Sequence, residues 1–294
     1  MTTRAGIVTV AGRPNAGKST LLNRLVGTHL AITSPKPQST RDRIVGIVSD
    51  ETTQIVLLDT PGLLEPEYAL HKAMRAAARK ALDEADVIIY VVDTSTGVTE
   101  PLAVAAALPP ERMPRAPVVL ALNKADLIAQ GRHDALRAEY PDAIVMSAHT
   151  GDGMDQLLAR VRTLLPVHPF YYDPEDLSTQ QTRFFAAEFV RETALEQLED
   201  EVPYAIACEI EEFRETRSPV YIRAVLHVER DSQKRILIGS GGARIKAIGK
   251  EARLKIERLI GSAVYLDLWV KVLPNWRRDS NALRRLGYPV PEDS

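Results

Sequence analysis

Nine residues near the N-terminus, Gly12-Arg13-Pro14-Asn15-Ala16-Gly17-Lys18-Ser19-Thr20, constrain this chain more than any other stretch. They fit G-x-x-x-x-G-K-[ST], the loop that cradles the phosphates of nucleoside triphosphates. Chance produces this pattern in about one chain in a hundred of this length. The context makes a plain glycine turn a poor explanation. Residues 6–11 are apolar and predict a buried strand, and residues 21–26 predict a helix. Glycines let backbone N–H groups curl round phosphates with no Cβ in the way, and the helix N-terminus adds unpaired donors. In this setting Lys18 is expected to reach the β- and γ-phosphates and Ser19 to ligate Mg²⁺.

Composition narrows the surroundings. A chain of 294 residues suggests about two domains with ample core. The single cysteine, Cys208, excludes an internal disulfide, and its apolar neighbours predict a small core residue. The histidines lack metal-ligand spacing, no apolar run is long enough for a bilayer, and no cleavable signal is expected. A reduced, cytoplasmic protein is the expectation.

Four further segments complete a nucleotide site. Residues 33–41, with two prolines and little to bury, predict a mobile loop. Behind a phosphate loop this is where a nucleotide-sensing switch lies, with Thr40 reaching metal and γ-phosphate and Ser39 as the alternative. Strands are predicted over 44–48 and 54–58, the second ending in Asp59-Thr60-Pro61-Gly62. Asp59 can hold Mg²⁺ through water, and the Gly62 N–H can meet the γ-phosphate. A helix is predicted over 68–82, then a near-continuous apolar strand over 86–93. The strand predicted over 116–122 runs into Asn123-Lys124-Ala125-Asp126. Guanine offers a ring N–H and an amino group side by side, which the Asp126 carboxylate accepts together. Adenine lacks that pair and would leave Asp126 desolvated and unpaired. Asn123 is expected to brace the loop and the stem of Lys124 to cover the base. A strand over 143–146 leads to Ser147-Ala148, whose Ala148 N–H can meet the guanine keto oxygen. A helix over 154–165 closes this half. Strands alternating with helices imply a doubly wound parallel α/β sheet with ligand loops at the C-terminal strand ends. The reading is a GTP-binding domain over 1–168.

Residues 166–174 hold three prolines and predict a semi-rigid linker, placed at 169–177, whose aromatics pack on a surface or stack on bases. The second domain, 178–294, predicts a helix over 179–197 with Phe184, Phe185, Phe189 and Leu195 on its apolar face. Strands follow over 204–213 and 220–228. Then comes Ile238-Gly239-Ser240-Gly241-Gly242-Ala243-Arg244-Ile245-Lys246, opening a cationic helix that ends near 259. A strand over 263–272 precedes a basic tail containing Trp276. Residues 183–215 carry 3 Lys/Arg against 10 Asp/Glu, whereas residues 217–285 carry 16 against 6. Cations flanking a glycine turn between two helices point to a nucleic-acid backbone site. The I-G-x-x-G-x-x-I pattern within the order α-β-β-α-α-β predicts an α+β type II KH fold. Such a fold clamps about four single-stranded nucleotides.

Taken together, the phosphate loop, Gln38-Ser39-Thr40-Arg41, Asp59–Gly62, Asn123–Asp126, the glycine turn and the ending Leu283-Arg284-Arg285-Leu286-Gly287-Tyr288 resemble the Era family of bacterial GTPases. The resemblance covers nearly the whole chain. It implies a monomer that binds and hydrolyses GTP and holds the 3′ region of small-subunit ribosomal RNA under GTP control during 30S assembly. It also implies weak peripheral association with the inner face of the cell membrane, and a potassium ion helped into place by Asn15. Ser240 stands where the family carries lysine between the clamp glycines, which weakens phosphate attraction while Arg244 and Lys246 remain. Leu63 stands where Ras-like GTPases carry a water-orienting glutamine, so intrinsic hydrolysis is expected to be slow. Two rival readings are an RNA chaperone whose hydrolysis is incidental, and a membrane or cell-cycle regulator whose KH-like fold binds protein.

Overall fold

The computed structural model describes residues 2–97 and 100–290. The chain forms two compact units. The first comprises Met1–Ala31, Thr40–Pro66 and Met74–Thr179; the second comprises Ile32–Ser39, Glu67–Ala73 and Gln180–Ser294. Residues 169–177, expected to be a linker, run along the first unit. There Gln54 Oε1 accepts from the Tyr171 and Tyr172 amides, and Leu177 O accepts from the Ile47 amide.

In chain order the elements of the first half are β1 (Arg4–Ala11), α1 (Lys18–Val26), β2 (Ile44–Ser49), β3 (Thr53–Asp59), α2 (Ala69–Asp83) and β4 (Val87–Asp93). Then follow α3 (Leu102–Ala105), β5 (Val118–Asn123), α4 (Gln130–Glu139), β6 (Ile144–Val145) and α5 (Met154–Leu164). The sheet order is β2-β3-β1-β4-β5-β6. β3 and the apolar part of β4 are buried throughout, as central strands between helical layers must be. The expectation of a fully parallel sheet needs correction, because β2 runs antiparallel to β3. Only residues 50–52 join them, far too few for a crossover. Asp50 Oδ1 fixes that turn by accepting from the Thr52 and Thr53 amides. From β1 the chain goes to β3 on one side and later to β4 on the other. The crevice for a ligand therefore opens at the C-terminal end of β1, where the phosphate loop begins.

The second half contains α6 (Thr182–Gln197), β7 (Ala207–Arg214), β8 (Val220–Val228), α7 (Asp231–Ile238), α8 (Ala243–Ile260), β9 (Val264–Val272) and α9 (Ser280–Arg285). β8 lies between β7, antiparallel to it, and β9, parallel to it. A parallel neighbour needs a crossover, and α7, the glycine turn and α8 supply it. This is the α-β-β-α-α-β order expected of a type II KH fold. Phe185, Phe189, Val190, Ala194 and Leu195 of α6 are buried, as are Ile248, Ala252 and Ile256 of α8 at four-residue spacing. The segment expected as a basic tail in fact closes this core. Trp276 is fully buried, donates from Nε1 to Ala205 O at 2.9 Å and stacks on Tyr288. Burial, first of all, and the negative charge of Glu188 hold the half-buried Cys208 thiol well above its usual pKa.

Candidate functional site

The phosphate loop leaves β1 at Gly12, whose φ is +155°; a Cβ there would lie 2.3 Å from Val91 O. Gly17 caps α1 at φ +98°, and a Cβ on it would sit 2.2 Å from Asn123 Nδ2. Both glycines are thus required by conformation and by space. Between them Arg13, Pro14, Asn15 and Ala16 form the turn, and Asn15 adopts a left-handed φ of 61°. Arg13 is anchored at the rim by a two-point pair with Glu100. Thr20 continues α1, one residue beyond Ser19.

The three expected metal ligands converge. Ser19 Oγ donates to Asp59 Oδ2 at 2.7 Å and lies 2.9 Å from Thr40 Oγ1, which is 3.3 Å from the same carboxylate oxygen. Of the two candidates in the switch segment, Thr40 is therefore the one at the site. Asp59 is fully buried, and its Oδ1 has no hydrogen-bond partner. A compact set of hard oxygen donors around an unsatisfied buried carboxylate fits Mg²⁺. Lys18 is also buried and donates to Gly12 O and Arg13 O at 3.1 and 2.8 Å. Burial pushes its pKa down to about 8 against the pull of Asp59, and pushes Asp59 up to about 6 against Lys18, Ser19 and Thr40. Each ion is poorly solvated by the protein alone. A polyanion beside Lys18 and a divalent cation beside Asp59 would stabilise both charges.

The segment after β3 lies against the phosphate loop. Thr60 is fully buried, with Oγ1 donating to Val10 O, and Pro61 is buried beside it. A Cβ on Gly62 would come within 2.7 Å of the Pro14 ring, and Leu63 N donates to Gly12 O. Leu63 itself packs with Ala11, Leu82, Ile88 and Tyr90 in the core. It is 4% exposed and carries no hydrogen-bonding group with which to orient water.

Asn123 ties the base and phosphate loops together. Its Nδ2 donates to Ala16 O at 2.8 Å, and its Oδ1 accepts from the Ala148 amide at 2.9 Å. The bracing role expected of Asn123 is thus visible, but the Ala148 N–H expected for the guanine oxygen is engaged by Asn123. Asp126 Oδ1 accepts from Ser147 Oγ at 2.6 Å, which orients the carboxylate. Lys124 has φ +63° and is held by Asp93, with Nζ to Oδ2 at 2.6 Å. Asp93 carries no motif signal and was missed; its place at the end of β4, in register with Asn123, makes the contact. Burial pushes the Asp93 carboxyl up, but bonds from Lys124 and Ser95 outweigh it and hold the pKa below the usual range.

Residues 33–39, expected to be a free loop, are pinned to α6 within the second unit. Thr33 N donates to Glu192 Oε1 at 3.1 Å, and Ser39 O accepts from Arg191. Lys36 Nζ reaches Leu195 O and Leu198 O, capping the carbonyl end of α6. Arg191 and Glu192 are each 1% exposed, and they pair with Glu188 and Lys255. Two buried charges on a helix stripe are invisible to apolar periodicity, so sequence reasoning passed over them.

At the glycine turn, Gly239 ends α7 with φ +73°, and Ser240–Gly242 make a single tight turn before α8. Gly241 and Gly242 have φ of +57° and +77°. A Cβ on Gly241 would meet nothing within 4 Å, and one on Gly242 only the Ile245 side chain at 3.9 Å. These glycines answer to backbone conformation; the Gly239 and Gly242 amides donate within the turn, to Arg235 O and Gly239 O. Arg244 folds back to Ile236 O at 3.0 Å, while Ile238 and Ile245 are half-buried on either side of the turn. Beyond the turn a groove of about 450 Å³ runs between α8 and β9. Ile245, Lys246, Gly249, Lys250 and Arg253 line one wall, and Val264, Tyr265, Leu266 and Leu268 the other. Lys250, Arg253 and the β9 wall were not singled out from sequence, because their alignment along one groove depends on the crossover.

Comparison with known proteins agrees with this geometry. Residues 7–124 match the family described as 50S ribosome-binding GTPase, and residues 201–277 match the KH domain family. GTPase Era of Carboxydothermus hydrogenoformans is 39% identical, with 98% of this chain and 99% of that protein aligned. GTPase Era of Pseudomonas syringae pv. tomato is 42% identical, with 97% of each covered. A crystal structure of Era with MgGDPNP and nucleotides 1506–1542 of 16S ribosomal RNA superposes with a TM-score of 0.89 at 35% identity, over 98% of this chain and 100% of that one. A GDP·AlF4⁻ complex of an Aquifex aeolicus Era variant gives the same TM-score, identity and coverage. A phosphate loop, the Asn123–Asp126 loop braced against it and a cation-lined groove thus occur together in a chain that belongs, over nearly its full length, to the GTPase Era family: a GTPase with a C-terminal RNA-binding KH domain.

Proposed function

We propose that this protein acts in small-subunit assembly, its KH groove holding the 3′ region of small-subunit ribosomal RNA while GTP controls how long it stays. The observation that carries this reading is the full-length similarity to Era bound to MgGDPNP and 16S RNA. The family description that mentions the 50S subunit covers only residues 7–124, the half without the RNA groove, and so bears less on the choice of subunit.

In GTP hydrolysis Lys18 would neutralise charge developing on the β- and γ-phosphates, and the Gly62 amide would donate to the γ-phosphate. Ser19, Thr40 and Asp59 would hold Mg²⁺, which would supply positive charge to offset the charge developing on the phosphates. Asp126, with Asn123 and Lys124 behind it, selects guanine. With Leu63 turned into the core, no side chain at that position orients the attacking water. We infer that a potassium ion near Asn15 supplies part of the missing stabilisation. Turnover several-fold faster in potassium than in sodium, with the difference lost in Asn15→Ala, is the expected result. Equal rates in the two salts would exclude it.

The protein acts as a monomer in the cytoplasm in this reading, with any contact to the inner face of the membrane peripheral. No helix among the described residues is long and apolar enough to cross a bilayer. The deciding experiment is crosslinking to RNA with GTP or GDP bound, followed by sequencing of the recovered RNA. Enrichment of the small-subunit 3′ end under GTP is expected. Recovery of other RNA, or the same RNA irrespective of nucleotide, would overturn the proposal.

A further inference from the structure

The RNA groove runs between α8 and the edge strand β9; the sheet face that adjoins it at Tyr265 carries a second, unassigned surface. Tyr265 and Trp269 are 59% and 55% exposed. Four residues apart on one strand, they share a face and stand about 13 Å from each other. Tyr265 stacks on Tyr221 of β8, its register partner, with ring centroids 5.9 Å apart and planes inclined by 12°. The guanidinium carbons of Arg214 and Arg223 lie 5.5 and 5.8 Å from the centre of the Tyr221 ring. Asp267, midway between the exposed aromatics, accepts from Trp269 Nε1 at 2.8 Å, from Tyr221 at 2.9 Å and from Arg223 at 3.0 Å. Asp267 therefore orients the Trp269 and Tyr221 rings, and Tyr221 covers one face of Tyr265 and leaves the other to solvent. Exposed aromatics on a monomer's surface are ordinarily scattered; two on a braced strand form a patch.

We propose that this face of β8 and β9 is a stacking platform for single-stranded RNA leaving the KH groove, with Tyr265 and Trp269 each taking one base. The proposal rests on the RNA-binding reading of the groove. RNA is the favoured occupant because the two surfaces are continuous: Tyr265 belongs to the wall of the groove as well as to the platform. A KH groove takes about four nucleotides, whereas the RNA bound by the related Era spans 1506–1542, so more RNA is present than the groove can hold. The cations of this face are already paired, Arg214 with Glu212, Arg223 with Asp267 and Lys271 with Glu211. Its contribution is therefore stacking, tolerant of base identity and nearly independent of salt.

The test uses the full chain with two fluorescein-labelled RNA probes from the 3′ end of its own small-subunit RNA. One is a tetramer sized to the groove and the other a dodecamer that overhangs it. Trp269→Ala and Tyr265→Ala should each weaken the dodecamer about tenfold. Trp269→Ala should leave the tetramer unchanged, and Trp269→Phe should restore the dodecamer. Because both positions are exposed, the variants keep the fold. The chain has two tryptophans, and Trp276 is buried, so the dodecamer should quench the accessible emission of Trp269 and the tetramer should not. Lys250→Ala should lower the salt dependence of dodecamer binding, whereas Trp269→Ala should lower affinity at every salt concentration with the slope retained. If the wild type binds the dodecamer but neither Trp269→Ala nor Tyr265→Ala weakens it, the platform is refuted and the groove stands. Retained RNA binding with lost association to the small subunit would assign the face to a protein and equally refute it. Failure of the wild type to bind either RNA would refute the groove reading itself and the platform with it.

Discussion

A methyl group on Gly17 would land 2.2 Å from Asn123 Nδ2, whereas one on Gly27 would meet nothing within 4 Å, although both residues have left-handed φ. The pair separates backbone strain from lost space. Gly17→Ala is expected to displace Asn123, break its bond to Ala16 O and abolish binding in a titration with fluorescent GTP. Gly27→Ala should cost roughly 1–2 kcal/mol of stability in urea and leave that titration unchanged. At the base, Ser147 holds one oxygen of Asp126. Asp126→Asn presents amide donors to guanine's donor edge, so GTP affinity should fall by at least about a hundredfold while xanthosine triphosphate binding rises. Competition between the two nucleotides measures both; an unchanged preference for GTP would refute the assignment.

At the scale of elements, α6 does more than the apolar face that periodicity reveals. Arg191 and Glu192 are buried charges, and they hold the backbone at Ser39 and Thr33. Removing one partner of a buried pair leaves the other unpaired, which typically costs about 3–5 kcal/mol. Arg191→Ala should therefore lower stability by that order. Lys36→Ala should cost less, about 0.3–1 kcal/mol, since it removes a cation from the carbonyl end of α6 and leaves no buried charge unpaired. Both should speed amide hydrogen exchange at residues 33–39, and unchanged exchange would show that α6 does not order this segment. The glycine turn is an element of a different kind, shaped by the φ of Gly241 and Gly242 for the approach of a ligand. Replacing both with Asp sets two negative charges beside the expected phosphate path. A like-charge pair near 4 Å costs roughly 1 kcal/mol in water and about 4 at a surface. RNA affinity should fall at least ~10-fold.

For the whole molecule, the phosphate and base loops fall in the first compact unit and the glycine turn with its groove in the second. The Gly241→Asp/Gly242→Asp double variant should thus keep wild-type GTP affinity and basal hydrolysis, and lose any stimulation of hydrolysis by RNA. Turnover with and without RNA on one folded preparation measures this, with circular dichroism to verify the fold. RNA stimulation that survives the loss of RNA affinity would refute coupling through the groove.

The sequence alone determined what depends on short-range chemistry. The phosphate loop, Asp59–Gly62 and Asn123–Asp126 are legible because each needs particular residue types at fixed spacing, whatever surrounds them. Apolar periodicity gives the strands of both halves and helices α1, α2, α5, α6 and α8 in the same way, but not α3, α4 or α9. Tertiary structure alone decided what depends on partners distant in the chain. The antiparallel β2 follows from a turn too short for a crossover. Lys124 is paired with Asp93 because β4 and β5 are in register, and Ala148 is engaged by Asn123 because two loops meet. Residues 33–39 look unstructured because the groups that order them, Arg191 and Glu192, lie about 150 residues away on α6. Trp276 looks like part of a basic tail until it is buried against Ala205 and Tyr288. A polar or aromatic side chain takes its role from the group that satisfies it, and only the folded chain brings that group near.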